Sequence, residues 1–297
     1  MKIVFKILTL LVILIVMFYI LYVEIIKKLF RNKDKISYNL FKKIIQVVSK
    51  NNNLMNYGIW YDNTETLKEA NINLVNEIFE KTGLENKMNQ KILDVGCGYG
   101  EQDIIWLKRL HETCEIDAID ISEEQIKYAQ EKENKINYSV CNSEEIDIKF
   151  KNKLFNVIIC LESAFHYNNR KLFLNKANKL LENDGRFVIS DIMLKNDYNN
   201  HNFLTKLITK VYSDFLYMPK QNQITGKEWL EELESECRVI EVLDITENTF
   251  VPYYKHFMKT FVKNKQWVSC MEKYLIDLFC KNQPFLYKIA ICEKKIK

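Results

Sequence analysis

Apolar and polar positions change rhythm twice along this chain. From Ile7 to Val23 every residue except Thr9 is apolar or aromatic. With Ile3, Val4 and Phe5, past Lys6, the run reaches about 20 residues, the length that spans a bilayer. No small-x-small cleavage site follows; Tyr22-Val23-Glu24-Ile25-Ile26-Lys27-Lys28 comes instead, so residues 1–26 are expected to be an uncleaved transmembrane anchor and not a signal peptide. Lys27, Lys28, Arg31, Lys33 and Lys35 outweigh Lys2 and Lys6 on the other flank, which orients a single-pass protein with its globular part in the cytoplasm. Residues 27–53 read as a basic juxtamembrane linker. Within it Ile36, Leu40, Phe41, Ile44, Ile45 and Val48 recur at helical spacing, which suits a helix in the headgroup region or one packed on the domain.

After Asn51-Asn52-Asn53 the pattern becomes short apolar runs alternating with amphipathic stretches. It predicts strands at 91–95, 115–119, 136–141, 155–161, 186–193, 239–246 and 285–292. Helices are predicted over 72–81, ended by Gly83, over 101–110, from Ser122 to about Lys132, and over 171–181. Ser122 and Gln125 have the spacing of a capping box. Such alternation implies an α/β domain over 54–297, with a mostly parallel sheet covered by helices on both faces. Two connections are longer than usual, 195–225 and 247–283. Each carries aromatic clusters, Val211 to Pro219 in one and Phe250 to Phe257 in the other, and each reads as a lid, a binding surface or extra helices on the core.

Charge sharpens the division. The first 36 residues carry seven Lys/Arg against two Asp/Glu, so the net +4 of the chain leaves the remainder at −1. Without a basic excess the globular part is not expected to bind nucleic acid. The eight cysteines contain no Cys-x-x-Cys pair and no zinc spacing, which suits free thiols in a reducing compartment and predicts no metal.

The chemistry gathers at strand ends, where open α/β sheets bind ligands. Lys91-Ile92-Leu93-Asp94-Val95-Gly96-Cys97-Gly98-Tyr99-Gly100 is a strand, an acid and three alternating glycines, a turn that brings bare backbone against a nucleoside cofactor. The spacing is not the Gly-x-Gly-x-x-Gly of dinucleotide sites. Asp120, at the end of the second strand, suits a ribose diol or caps the next helix. Cys141-Asn142-Ser143-Glu144 offers polar groups for an adenine edge, or a simple turn. The fourth strand buries Val157, Ile158 and Ile159 and then presents Glu162, Ser163 and His166. His166 is a candidate for catalysis or substrate contact. Asp191, within the fifth strand, would assist a base or serve the core. Tyr57, Trp60 and Tyr61 would shield a cation or simply pack.

These motifs, with Ala118-Ile119-Asp120-Ile121-Ser122-x-x-Gln125 and Asp184-Gly185-Arg186-Phe187-Val188-Ile189-Ser190-Asp191, resemble the class I S-adenosylmethionine-dependent methyltransferases, in their methyltransferase-11-type branch. Met55 to Tyr61 with Thr66-Leu67-x-Glu69-Ala70 resembles the segment that closes over the site in tocopherol, sterol and macrolide or sugar methyltransferases. The resemblance implies a seven-stranded Rossmann-like sheet, mostly parallel with an antiparallel last strand. It implies Asp94, Gly96, Cys97, Gly98 and Gly100 around the methionine moiety, Asp120 on the ribose, Ile121 against adenine, and Asn142, Ser143 and Glu144 at the adenine edge. Leu161 would lie near the methionine amino group, Gln125 and Tyr57 would complete the cofactor site, and His166 would act as base with Asp191 nearby. The anchor adds an expectation of a lipophilic acceptor such as a sterol or prenyl-quinone. A soluble sugar or secondary metabolite is the alternative, ahead of a nicotinamide-dependent oxidoreductase, a nucleic-acid methyltransferase or a non-enzymatic scaffold.

Overall fold

The computed structural model describes residues 53–201, 203–261 and 283–295. The expected membrane run, the helix over 36–48 and the stretch 262–282 of the second insert lie outside the described residues. Among the described residues no helix is long and apolar enough to cross a membrane.

A helix, α1 (Leu67–Thr82), precedes the first strand. The periodicity alone places its start at Ile72, but Thr66 and Glu69 form a full capping box that adds a turn, and Gly83 closes it at φ 66°. Then come β1 (Lys91–Val95), α2 (Glu101–Leu107), β2 (Glu115–Asp120), α3 (Glu123–Lys132), β3 (Asn137–Val140), the single turn α4 (Ile146–Lys149) and β4 (Phe155–Leu161). The second half continues with α5 (Arg170–Leu180), β5 (Leu181–Leu194), α6 (Phe203–Phe215), α7 (Gly226–Glu236), β6 (Arg238–Asp244), α8 (Phe250–Phe261) and β7 (Phe285–Glu293). The inserts therefore carry α6 and α8.

The sheet order is β3-β2-β1-β4-β5-β7-β6. Neighbours pair in parallel except β7, which runs antiparallel to β5 and β6. The order reverses between β1 and β4, and that switch point opens a crevice at the carboxyl ends of the strands. Register sets who meets there: Val95 pairs with Ile119, and Asp94 with Ile159. The glycine turn, Asp120 and Glu162 thus leave the sheet at nearly one level.

Both faces of the sheet are buried because successive strand residues point to opposite sides. Ile92, Ile116, Val157 and Ile159 pack with Leu74, Ile78 and Trp106 on one face; Leu93, Ile119, Ile158 and Phe187 pack with Phe173, Trp229 and Leu233 on the other. Each such side chain contributes about 1.5–3 kcal/mol on burial. The Trp106 indole donates to the Val75 carbonyl at 2.9 Å and ties α2 to α1. The capping box expected at Ser122 is half made. Ser122 accepts from the Gln125 backbone, but the Gln125 side chain reaches Met55 and the Ser122 N–H goes to Asp120.

Candidate active site at the switch point

The three glycines of the turn all have positive φ, 90° at Gly96, 57° at Gly98 and 72° at Gly100, and their surroundings separate them. A Cβ on Gly96 would sit 2.3 Å from Ser163 Oγ, and one on Gly100 would sit 2.4 Å from the Tyr138 hydroxyl. Those two are glycine so that the turn can pack. At Gly98 the nearest atom is Gln125 Nε2 at 3.8 Å, an ordinary contact, so this position alone of the three has room above its bare backbone. The Cys97 side chain is buried in the core and burial pushes its thiol well up, so only its backbone faces the site.

Asp94 lies beneath the turn, fully buried, and its Oδ2 accepts from Gln102 Nε2 at 2.6 Å. Asp94 Oδ1 and both oxygens of the buried Asp103 meet no hydrogen-bond donor among the described residues. Burial pushes both carboxyls up, Asp94 to about 6. Two acids that close in a dry site hold one proton between them. The structure thus places Asp94 in the core at the end of β1, bonded to Gln102 of α2.

Asp120 does two things at once. Its Oδ2 accepts the Gly98 N–H at 3.0 Å and its Oδ1 the Ser122 N–H at 2.8 Å, so it braces the open glycine. Each oxygen keeps a further lone pair for a diol. Ile121 beside it is 73% exposed, an apolar surface left at a strand end for a flat partner. Gln125 is buried; its Nε2 reaches Met55 Sδ at 3.4 Å and also lies nearest the open side of Gly98.

Past β3, Asn142 accepts from the Glu144 N–H and holds a short turn in which Ser143 is buried. Glu144 accepts the Asn169 N–H at 2.7 Å through its carboxylate and the Lys176 ammonium at 2.5 Å through its carbonyl. The structure uses Glu144 to fasten α5 to this loop.

The β4 end differs most from expectation. Ser163 Oγ donates to the Val95 carbonyl at 2.8 Å and meets the Tyr167 hydroxyl at 2.7 Å, so it seals the β1–β4 junction. Leu161 is buried and paired with Ser190. His166 is exposed, stacks on Phe165 with ring centroids 4.0 Å apart, and faces the backbone of Tyr217 and Leu216. Asp191, expected near it, is fully buried and bonded to Arg170 and Trp229. Its carboxylate has a structural partner, so a base-assisting role for it is not what the geometry provides.

Glu162 is the residue that the sequence underrates. It is 9% exposed, sits at φ 49°, and its Oε1 accepts the Tyr57 N–H at 2.8 Å and the Tyr287 hydroxyl at 2.5 Å. Burial pushes its carboxyl up to about 8. Aromatic rings wall it: Tyr57 lies 4.7 Å from Tyr253 and 5.3 Å from Phe250. Tyr57, expected at the sulfonium, is thus packed with α8 while its backbone binds Glu162. A strand-end acid was visible in the sequence, but Tyr287 lies inside an apolar strand and gave no signal.

The Tyr57 segment is strapped in place. Ile59 N–H donates to Ala70, Trp60 N–H to Asn248, and Asn248 Nδ2 back to Trp60. The segment expected to close over the site therefore bridges α1 and the start of α8.

Comparison with known proteins adds sequence-level kinship to this geometry. A family profile described as a methyltransferase domain matches residues 86–240. An uncharacterized protein, MJ1252 of Methanocaldococcus jannaschii, is 32% identical over 203 residues, 63% of this chain and 76% of that protein. Erythromycin 3''-O-methyltransferase of Saccharopolyspora erythraea is 28% identical over 166 residues, 54% of this chain. The match spans about half of that relative's length, 53%. Among solved structures, geranyl diphosphate C-methyltransferase from Streptomyces coelicolor, in complex with Mg2+, geranyl diphosphate and S-adenosyl-L-homocysteine, shares the fold at a TM-score of 0.62 and 14% identity, covering 86% of this chain and 97% of that one.

Proposed function

The chain belongs to the methyltransferase-domain family, and from that premise we propose that it transfers the methyl group of S-adenosylmethionine to a small-molecule acceptor. The observation that carries the reading is the braced, open Gly98 beside Asp120 and Ile121. Bare backbone, a diol-binding carboxylate and an exposed apolar face fit a nucleoside with a polar tail. The bound cofactor supplies an electrophilic methyl on a sulfonium, and the protein supplies alignment and a dry site. Asp120 holds the ribose, Ile121 meets the adenine, and the Gly98 backbone passes close to the tail.

The test is calorimetric titration of the purified full-length chain with S-adenosylmethionine, with NADH as the competing ligand. Micromolar binding of the first, weakened about tenfold or more by Asp120→Ala, is expected. Binding of NADH alone, or of neither, overturns the reading.

A second reading gives the acceptor a membrane. The apolar run Ile7–Val23 and the aromatic inserts support a single-pass enzyme whose catalytic domain lies in the cytoplasm and takes a lipophilic acceptor. The name of the erythromycin methyltransferase favours a free small molecule instead. Carbonate washing of membranes separates them: a chain that stays with the membrane pellet supports the anchor, and one released by the wash removes it.

A further inference from the structure

We propose that Glu162 is the general base of this enzyme and that the acceptor's nucleophile is a hydroxyl, which donates to Glu162 Oε2 before methyl transfer. The inference rests on the methyltransferase reading above and names the acceptor chemistry of that same site.

Three observations carry it. The first is position. Asp94 pairs with Ile159, so Glu162 leaves the sheet level with Cys97, and the next residue, Ser163, packs against Gly96. Glu162 therefore stands across the switch point from the cofactor turn. The second is the carboxyl itself. Both donors that reach it, Tyr57 N–H and the Tyr287 hydroxyl, use Oε1. Neither of these two donors uses Oε2, and the side chain is nine-tenths buried. Two donors on one oxygen fix the plane of the group, and Tyr57, whose backbone is one of those donors, packs its ring against Phe250 and Tyr253.

The third is strain. Glu162 is in the left-handed region, uncommon for a residue with a Cβ, and its N–H is held by both the carbonyl and the hydroxyl of Ser190, each at 3.1 Å. A conformation of this kind is kept where a side chain must be aimed. Basicity agrees. Burial lifts Glu162 to about 8, against the hydrogen bonds from Tyr287 and Tyr57 and with added repulsion from Asp191. A base works best when its pKa lies near the working pH. The other titratable groups facing Glu162 are the hydroxyls of Tyr57, Tyr253 and Tyr287, all raised by burial and neutral over the working range.

The step balances. The acceptor O–H bond breaks and its proton moves to Glu162 Oε2. The oxygen lone pair forms the O–CH3 bond as the methyl carbon–sulfur bond breaks, with its electron pair left on sulfur. The products are a methyl ether, S-adenosylhomocysteine and protonated Glu162.

The experiment uses the full-length chain, methyl-labelled S-adenosylmethionine and an organic extract of the cells that make the protein. Hydriodic acid then releases label from methyl ethers as volatile methyl iodide. The wild type is expected to give volatile label, at a rate that rises with pH towards a plateau above about pH 8. Glu162→Gln is expected to lose at least about 100-fold of this rate while its calorimetric affinity for S-adenosylmethionine stays within about twofold. Glu162→Asp recovers part of the rate, and His166→Ala keeps the pH profile. The assignment is overturned if Glu162→Gln retains the rate, if the label is non-volatile, or if a wild type that binds the cofactor makes no methyl ether. It is also overturned if Glu162→Gln loses cofactor binding and Glu162→Asp does not restore the rate. A wild type that binds no S-adenosylmethionine overturns the methyltransferase reading instead.

Discussion

Arg170 Nη1 and Asp191 Oδ2 lie 3.0 Å apart with their side chains 1% and 0% exposed, an ion pair sealed inside the fold. The Trp229 indole donates to the same Asp191 oxygen at 2.9 Å, and Glu232 takes the other side of the guanidinium through both of its oxygens. The four residues come from β5, α5 and α7 and lock those elements together. Removing one partner breaks a buried pair, which costs about 3 kcal/mol, at the low end here because Glu232 still holds Arg170. Asp191→Ala is therefore expected to lower the unfolding free energy by that amount in urea titrations, and the folded fraction is expected to keep its affinity for S-adenosylmethionine. A variant of wild-type stability that had lost activity would instead restore Asp191 to the reaction.

The glycine turn makes a two-part prediction. Gly98→Ala meets no neighbour closer than 3.8 Å and bears only the cost of a left-handed alanine, about 1–2 kcal/mol. Its new methyl points where the cofactor backbone contact is drawn, so the affinity for S-adenosylmethionine should fall about tenfold or more. Gly96→Ala and Gly100→Ala collide with Ser163 and Tyr138 and should lose stability beyond that cost. Melting curves and calorimetry on the three variants check the split; equal effects on affinity and stability at all three positions would remove it.

The strand and helix order was legible in the sequence because alternation with few Gly and Pro leaves little choice of topology. The strand ends were legible too, since the chemistry-bearing residues break off apolar runs there. What the sequence hid were the partners. Asp191 within β5 and Glu162 just past β4 look alike as acids set against apolar runs, yet one meets Arg170 from α5 and the other meets Tyr287 from β7, 125 residues away. Gly96, Gly98 and Gly100 likewise read as one motif, and only the neighbours Ser163 and Tyr138 separate them.

The Asp94–Asp103 pair makes stability depend on pH with a definite sign. Burial first, then mutual repulsion, raises the carboxyl of Asp103, and burial raises Asp94 to about 6. A carboxyl whose folded pKa lies above its unfolded value contributes stability that is complete below about pH 4 and is lost as pH climbs through the folded value. Asp103→Asn removes one acid and the repulsion. It is expected to stabilise the protein at pH 8 relative to the wild type and to do less at pH 5. Denaturant midpoints at the two pH values check this; an equal shift at both would mean that the pair shares no proton.

The strap over the site should open before the sheet does. Residues 54–61 are held by Asn71, whose fully buried amide donates to the Asn56 carbonyl and to Asn56 Oδ1 at 2.9 Å, and by the paired bonds between Trp60 and Asn248. Neither set belongs to the sheet core, so loosening them need not unfold β1 or β4. Asn71→Ala deletes two buried hydrogen bonds and leaves their acceptors unmet, a loss of about 2–3 kcal/mol concentrated in the strap. Amide hydrogen exchange at Ile59 and Trp60 is then expected to rise by about 30–100-fold while exchange at Leu93 and Ile158 stays at the rate of global unfolding. Asn248→Ala, which removes one partly exposed side-chain bond, should give a smaller rise at Trp60 and little at Ile59. If Asn71→Ala speeds exchange in β1 and β4 as much as in the strap, the segment unfolds with the core and is no independent cover. Glu162 belongs to the same test, because the Tyr57 N–H is bonded to it, and an opened strap would leave its Oε1 with the Tyr287 hydroxyl alone.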